Sequence, residues 1–278
     1  MDNPASDLEP MDETVDLSYV ALLKNHQLLQ TLIGIYNFYK HVAYNCFLFI
    51  PKGVRSICNY NSYIYDSFSG TTSSISSLVV KGHLNDTCVL LRVYFDNILT
   101  GTYINLIAEE KGNVFTNFYV DEVEKWLHMK FRIPSVKKVL TIIETNEKAK
   151  TIYSLVNKDN RLKEYRDFLD ACVHGNRFQT LLYNCGSLCL EHRDRLLLKI
   201  QTILNTLFVL HLSFIFSLNP HYLMASDYND CLEMGMTPPL GSEYWIAPFA
   251  QDAFDKYIKP NQALANYIYE NCSLEIKR

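Results

Sequence analysis

Glycine and proline are scarce in this chain. Its 278 residues include 10 Gly and 9 Pro, together about 7% of the sequence, whereas an average protein has roughly 12%. Sandwiches, propellers and parallel α/β folds use these two residues in their many turns. The shortage therefore argues against those folds and predicts a few long elements.

An excess of basic residues is also missing. The chain has 26 Lys and Arg against 30 Asp and Glu, a balance that argues against a protein that coats nucleic acid without specificity. Residues 1–13 contain five acidic side chains and no basic one, which is the opposite of a targeting signal. We expect 1–13 to be a disordered acidic lead-in.

Charged residues are absent from 200–226. The segment is long enough to cross a bilayer, but polar side chains interrupt it, and acidic rather than basic residues follow it. We predict a buried core helix and no stable membrane insertion.

The eight cysteines are scattered, and no signal peptide precedes them. Reduced core thiols in the cytoplasm are the prediction that follows. Cys185, Cys189 and His192, with Glu191 beside them, have the spacing of one helix face and could begin a zinc site. The same face continues through apolar positions, so core packing is favoured, and no metal or cofactor is predicted.

The usual nucleotide-binding and hydrolase motifs are missing as well. The turn at 69–72 reads Ser-Gly-Thr-Thr and lacks the lysine of a phosphate loop; we predict a solvated loop there. Tyr60, Tyr63 and Tyr65 could stack nucleic-acid bases, although packing within an irregular connection is favoured.

The apolar residues that are present recur mostly at spacings of three and four, as in helices. They predict an all-α bundle of long helices over 14–218, followed by a wrapping appendage at 219–278, in one domain spanning 14–278. The predicted helices are 14–50 with a kink at Gly34, 72–110 with a break at Gly82, 117–131, 134–147, 160–173 with Asp159 as N-cap, 178–218, 248–257 and 260–271, with an irregular connection at 54–70.

One arginine stands inside an apolar helix. Arg92 must be paired or reach solvent there, because an unpaired buried guanidinium is very costly. Asp96 lies one turn later on the same face and can pair with it. In a second helix, His174 is predicted at the C-terminal end, where the dipole favours a protonated ring, with Asp170 as its partner one turn earlier.

These two segments resemble a group of bacterial helical proteins, the HEPN-like and abortive-infection-related families. The resemblance covers roughly residues 70–180 and is carried by Leu90, Leu91, Arg92 and Asp96, followed by Tyr165, Phe168 or Leu169, Val173, His174 and Gly175. It implies an all-α bundle, often dimeric, in a superfamily that includes metal-independent ribonucleases of toxin–antitoxin and defence systems. Those enzymes use an Arg-x4-6-His pair; here seven residues separate Arg166 from His174.

The resemblance predicts a cytoplasmic defence or toxin-type protein that cleaves RNA without a metal. His174 would act as base or acid, and Arg92 or Arg166 would hold the phosphate. Asp96, Asp170 and Asn176 are the predicted supporting residues. RNA, a second copy of the chain and an antitoxin or other protein are the predicted partners.

Two alternatives from other classes stay open. In a non-catalytic interaction or sensor module, Arg92, Asp96 and His174 would form a buried polar tie between helices. In a membrane-associated effector, 200–226 would contact lipid. A solvent-accessible cleft shared by Arg92 and His174 would favour the ribonuclease.

Overall fold

The computed structural model describes residues 16–48, 60–112, 120–186 and 188–278. These ranges are all-α, as predicted, and contain no strand. The predicted acidic lead-in at 1–13 lies outside them. The helices are α1 Leu17–Lys24, α2 Leu28–Leu48, α3 Tyr60–Lys81, α4 Leu84–Lys111, α5 Asp121–Leu127, α6 Val136–Thr145, α7 Lys150–Val156, α8 Arg161–His174, α9 Phe178–Leu181, α10 Leu190–Leu218, α11 Asp227–Glu233, α12 Pro248–Ala253 and α13 Gln262–Asn271.

Helix α10 is the central helix of the bundle. It packs against α2, α4, α7 and α13, and its residues from Ile200 to Phe216 supply many of the fully buried side chains. By length and composition α10 could also cross a membrane, but 67% of its most apolar window is buried inside the bundle. Burial among other helices accounts for the missing charges without a bilayer.

The predicted helix 178–218 is wrong at its start. α9 ends at Leu181, a 3-10 turn covers Leu182–Asn184, and α10 begins only at Leu190. Helix α10 ends at Leu218, so the rest of the uncharged run, 219–226, is a 3-10 turn and extended chain.

An irregular connection was predicted at 54–70. This prediction is wrong for residues 60–70, because α3 begins at Tyr60. One face of α3 is buried, and Tyr39 of α2 stacks on Phe68 with ring centroids 5.1 Å apart. The hydroxyls of Thr71 and Thr72 bond to backbone carbonyls within the helix. The Ser-Gly-Thr-Thr segment is therefore helix interior and not a solvated loop, because tertiary packing outweighs its weak helix propensity.

The first predicted helix is broken at a different place. Asp16 caps α1, and the chain turns between Lys24 and Leu28, while α2 runs uninterrupted from Leu28 to Leu48. A Cβ at Gly34 would lie 3.4 Å from the Tyr257 hydroxyl oxygen. The glycine therefore allows close approach of the C-terminal segment.

The predicted breaks at Gly82 and after His174 are confirmed. Gly82 and Gly175 have φ of 77° and 55°, in the left-handed region that glycine adopts at helix ends. Asp159 does not cap α8 as predicted. It has φ of 55° inside a 3-10 turn, and Asn160, with φ of 60°, is the residue that precedes the helix.

Arg193 joins the start of α10 to the N-terminal helix. Arg193 is only 5% exposed. Its guanidinium donates to Asp16 Oδ2 at 2.8 Å and to the Gly186 carbonyl at 2.6 Å, and lies 5.0 Å from the Tyr19 ring centre. The ion pair with Asp16 and the contact with the Tyr19 ring stabilise the buried guanidinium.

A line of polar side chains crosses the centre of the core. The Tyr39 hydroxyl is 2.6 Å from the Tyr94 hydroxyl and 2.7 Å from His211 Nδ1. These groups lie on α2, α4 and α10 and are enclosed by aromatic rings such as Phe68. Burial lowers the pKa of His211 to about 3, so its imidazole is neutral at physiological pH.

The C-terminal segment 219–278 belongs to the same core. Isolated bridges join Met224 to Ile246 and Trp245 to Glu275, and the apolar residues of α12 and α13 are buried. Between them, residues Phe254–Ile258 form a π-helical turn. The C-terminal segment therefore packs against the bundle.

Candidate functional site

The structure brings four of the six predicted site residues together between α4 and α8. Arg92 Nε lies 2.5 Å from Asp170 Oδ1, and the same guanidinium forms an ion pair with Asp96. Arg92 is 8% exposed. The fourth residue, Arg166, lies one turn before Asp170, with its Nε 4.0 Å from Asp170 Oδ2.

The local pairing of Arg92 with Asp96 was predicted, and the tie to α8 was not. Burial disfavours the charged guanidinium, but the bonds to Asp96 and Asp170 outweigh this effect, so the pKa of Arg92 is raised. Two carboxylates face two guanidinium groups in this cluster, which leaves it without net charge. Such a cluster attracts a phosphate weakly, because Arg92 is already neutralised.

His174 and Asn176 do not join this cluster. Both side chains are exposed at the end of α8. Within the described residues, the ion pairs of Asp170 are with Arg92 and Arg166, and none involves His174. The predicted His174–Asp170 pair and the buried tie that included His174 are therefore wrong, because Asp170 turns towards α4.

The predicted core thiols near α10 are exposed. Cys185 and Cys189 precede the helix instead of lying on its buried face, and His192 is exposed beside them. Cys189 Sγ is 2.7 Å from His192 Nδ1. Across the described ranges, no group of three or more His, Cys, Asp or Glu side chains could hold a metal ion. Cys88 and Cys172 are free and buried, as the sequence indicated.

A larger concave site lies on another face of the bundle. We call it the aromatic groove: a cavity of about 510 Å³ between α3, α4 and the end of α5. Its aromatic lining comes from Tyr60, Tyr63 and Phe68 of α3 and from Trp126 of α5. Tyr60 meets Trp126 edge to face, with centroids 6.2 Å apart.

A few polar and flexible side chains complete the aromatic groove. Asn97 and Thr100 of α4 lie along it, next to Gly101, which adds no side chain to the surface. Met129 stands at the edge, 85% exposed, with φ of 58°. That backbone conformation is uncommon for a residue with a long side chain and is found more often near functional sites.

The sequence contained a signal for this groove that the prediction did not use. Tyr60, Ile64 and Phe68 recur every four residues, which is the spacing of one helix face. The abundance of Tyr, Asn and Ser around them favoured a loop instead. The participation of α4 and α5 depends on tertiary packing, which a single periodic segment does not encode.

Comparisons with family models, curated proteins and solved structures give no match for this chain. The HEPN-like resemblance therefore stays a prediction supported by the residues quoted for it.

Proposed function

We propose that this protein is a non-catalytic helical sensor module that binds a small, flat aromatic molecule in the aromatic groove. The observation that carries the proposal is the composition of that groove: several aromatic side chains with a few polar groups around about 510 Å³. Small-molecule sites have this mixture, in cavities of roughly 300–1,000 Å³.

The size of the groove suits a small molecule, because drug-sized ligands occupy cavities of about this volume. A molecule of one or two fused rings fits, and its faces can pack against Tyr63 and Trp126. Asn97 and Thr100 supply hydrogen-bonding groups that would orient a polar substituent.

The ribonuclease predicted from the resemblance is the second candidate, and exposed His174 favours it because a catalytic imidazole must reach its substrate. Against it stands Arg92, which is buried and paired with two carboxylates. A role in bacterial defence, a homodimer and an antitoxin partner are further proposals that rest on the resemblance alone, whereas a cytoplasmic location also rests on the scattered cysteines.

The two tryptophans of the chain provide the test. In a Trp245→Phe background, Trp126 in the groove is the sole tryptophan. We would titrate this variant with 4-nitroaniline, a flat neutral molecule whose absorption quenches tryptophan emission. Thr100→Phe would fill the groove, and Val93→Phe places the same bulk at an exposed position of α4 outside it.

Saturable quenching that Thr100→Phe removes and Val93→Phe preserves is the expected result. Circular dichroism verifies that both variants keep their helices. Quenching that never saturates, or that is the same in both variants, would overturn the proposal.

A further inference from the structure

Several of the large apolar side chains that remain exposed lie in one loop of the C-terminal segment. The loop runs from Ala225 to Trp245, and we call it the methionine loop. The Ala225 N–H donates to the Trp245 carbonyl at 2.8 Å, so the two ends of the loop are joined where they meet the bundle. The exposed apolar side chains of the loop are Leu232, Met234, Met236, Leu240, Tyr244 and Trp245.

The methionine loop contributes little to the core. No residue from 226 to 241 is buried, and α11 is the only one of the described α-helices without a buried side chain. The Met236 N–H donates to the Cys231 carbonyl at 2.8 Å, and α11 packs against the turn Ser242–Tyr244. These contacts keep the apolar residues after α11 close to the helix and to the turn. Because the side chains cover no core, they form an apolar surface that no described residue covers.

The charges of the methionine loop all have one sign. No Lys or Arg lies between Lys199 and Lys256, whereas the loop contains Asp227, Asp230, Glu233 and Glu243. The ion pairs among the described residues involve none of these four carboxylates. Next to the loop, the Glu275 N–H donates to the Tyr244 carbonyl, and Glu275 and Lys277 contribute opposite charges. The apolar surface therefore has an acidic rim.

We propose that the methionine loop is the docking surface for a cationic amphipathic helix of a partner protein. The leucine and methionine side chains pack on the apolar face of that helix, and Asp230 and Glu233 meet its Lys or Arg side chains. Methionine suits such a surface because its unbranched, flexible side chain adapts to apolar groups of different shapes.

The acidic rim selects this occupant over two others. An anionic lipid surface would be repelled by the carboxylates of the loop, and a second copy docked through the same loop would place acidic residues against acidic residues. The methionine loop shares no residue with the aromatic groove, so the inference does not depend on the proposed sensor function.

Trp245 provides the reporter for a binding test, because it lies in the methionine loop and is partly exposed. In a Trp126→Phe background it is the sole tryptophan of the full chain, and its emission shifts to shorter wavelength when a partner covers it. The probe is a peptide of about 18 leucine and lysine residues, with the leucines on one helix face. A scrambled peptide of the same composition and a peptide with glutamate in place of lysine are the matched controls.

Two double variants change the methionine loop. Met234→Ser with Leu240→Ser removes two exposed apolar side chains, and Asp230→Lys with Glu233→Lys reverses two exposed charges. Because all four side chains are exposed, both variants should keep the fold, and circular dichroism verifies this.

Two double variants elsewhere serve as controls. Phe178→Ser with Leu181→Ser removes an equally exposed apolar pair from α9. Glu164→Lys with Asp167→Lys reverses two exposed carboxylates on α8.

We expect saturable binding of the amphipathic leucine–lysine peptide, and each double variant of the loop should weaken it at least about tenfold, whereas the variants of α8 and α9 leave it unchanged. The scrambled and glutamate peptides should bind at least about tenfold more weakly. Raising the salt concentration from about 0.05 M to about 0.5 M should weaken binding severalfold, because salt screens the charge pairs.

Equal binding of the scrambled peptide, or equal losses in the loop variants and the control variants, would overturn the proposal. Absence of saturable binding up to about 100 μM peptide would overturn it as well. Two further measurements test the other occupants: a dimer in sedimentation velocity, or binding to phosphatidylglycerol vesicles, that Met234→Ser with Leu240→Ser abolishes would assign the surface to a second copy or to a membrane instead.

Discussion

Arg92 Nε and Asp170 Oδ1 lie 2.5 Å apart although they are 78 positions apart in the chain. This pair joins α4 to α8 and uses the guanidinium that the resemblance assigned to phosphate binding. The buried cation is held by Asp96 from its own helix and by Asp170 from the neighbouring one. The contact therefore holds α4 and α8 together, and we expect its loss to lower the stability of the fold.

Asp170→Ala is expected to lower the free energy of unfolding by about 1–3 kcal/mol, because it leaves a buried guanidinium with one partner fewer. Urea denaturation measures the change. Asp167→Ala removes an exposed carboxylate from the same helix and should alter stability by no more than about 0.5 kcal/mol. Equal effects of the two substitutions would show that the tie contributes nothing.

Total RNA incubated with the purified protein and a chelator should stay intact, since the Arg92 charge is already neutralised. His174→Ala should give the same result as the unchanged protein. Electrophoresis of the RNA over time is the measurement. Cleavage that disappears in His174→Ala would establish the ribonuclease and refute the sensor proposal as a description of the main activity.

Stability should fall as the pH drops below about 6.5, because burial lowers the pKa of His211 to about 3 and that of His221 to about 4. Between these values and the usual pKa of 6.5, the unfolded chain binds protons that the folded chain does not. Each such histidine then removes up to about 1.4 kcal/mol of stability per pH unit. The midpoint of urea denaturation, measured from about pH 7 to about pH 4, gives the slope of stability against pH.

His211→Gln tests whether His211 causes part of this pH dependence. Glutamine does not titrate but can still bond to the Tyr39 hydroxyl, so the slope should become shallower even if the variant is less stable overall. A slope that His211→Gln does not alter would contradict the assignment.

Phe208→Ala should destabilise the bundle by about 3–5 kcal/mol. Its ring is fully buried and contacts Phe38, Tyr39 and Tyr257. Leu198→Ala changes the same helix at a side chain that is 52% exposed and should cost little. A small effect at Phe208 would mean that α10 is not the centre of the core, and chemical denaturation distinguishes the two outcomes.

The all-α class was predictable because residue spacing and scarce Gly and Pro report on local structure. Gly82 and Gly175 ended helices as expected, since each allows a left-handed backbone. The prediction was wrong for the first half of α3, residues 60–70, whose polar face looked like a loop. Its helix is stabilised by contacts with α2, and those contacts are made by residues distant in the chain.

The candidate sites were less predictable for the same reason. The pairing of Arg92 with Asp96 follows from a spacing of four, but the partner Asp170 comes from another helix. The aromatic groove combines Tyr60 with Asn97 and Trp126, and no short motif contains these residues. Sequence periodicity identifies a helix face, whereas the juxtaposition of two faces depends on the whole bundle.

The buried Arg193 has a consequence for the order in which the bundle assembles. It holds Asp16, 177 residues earlier in the chain, together with the carbonyl of Gly186 just before α10. Closing so long a loop is slow compared with forming local helical contacts. During synthesis from the amino terminus, Asp16 must therefore wait for most of the chain to emerge before it meets its partner.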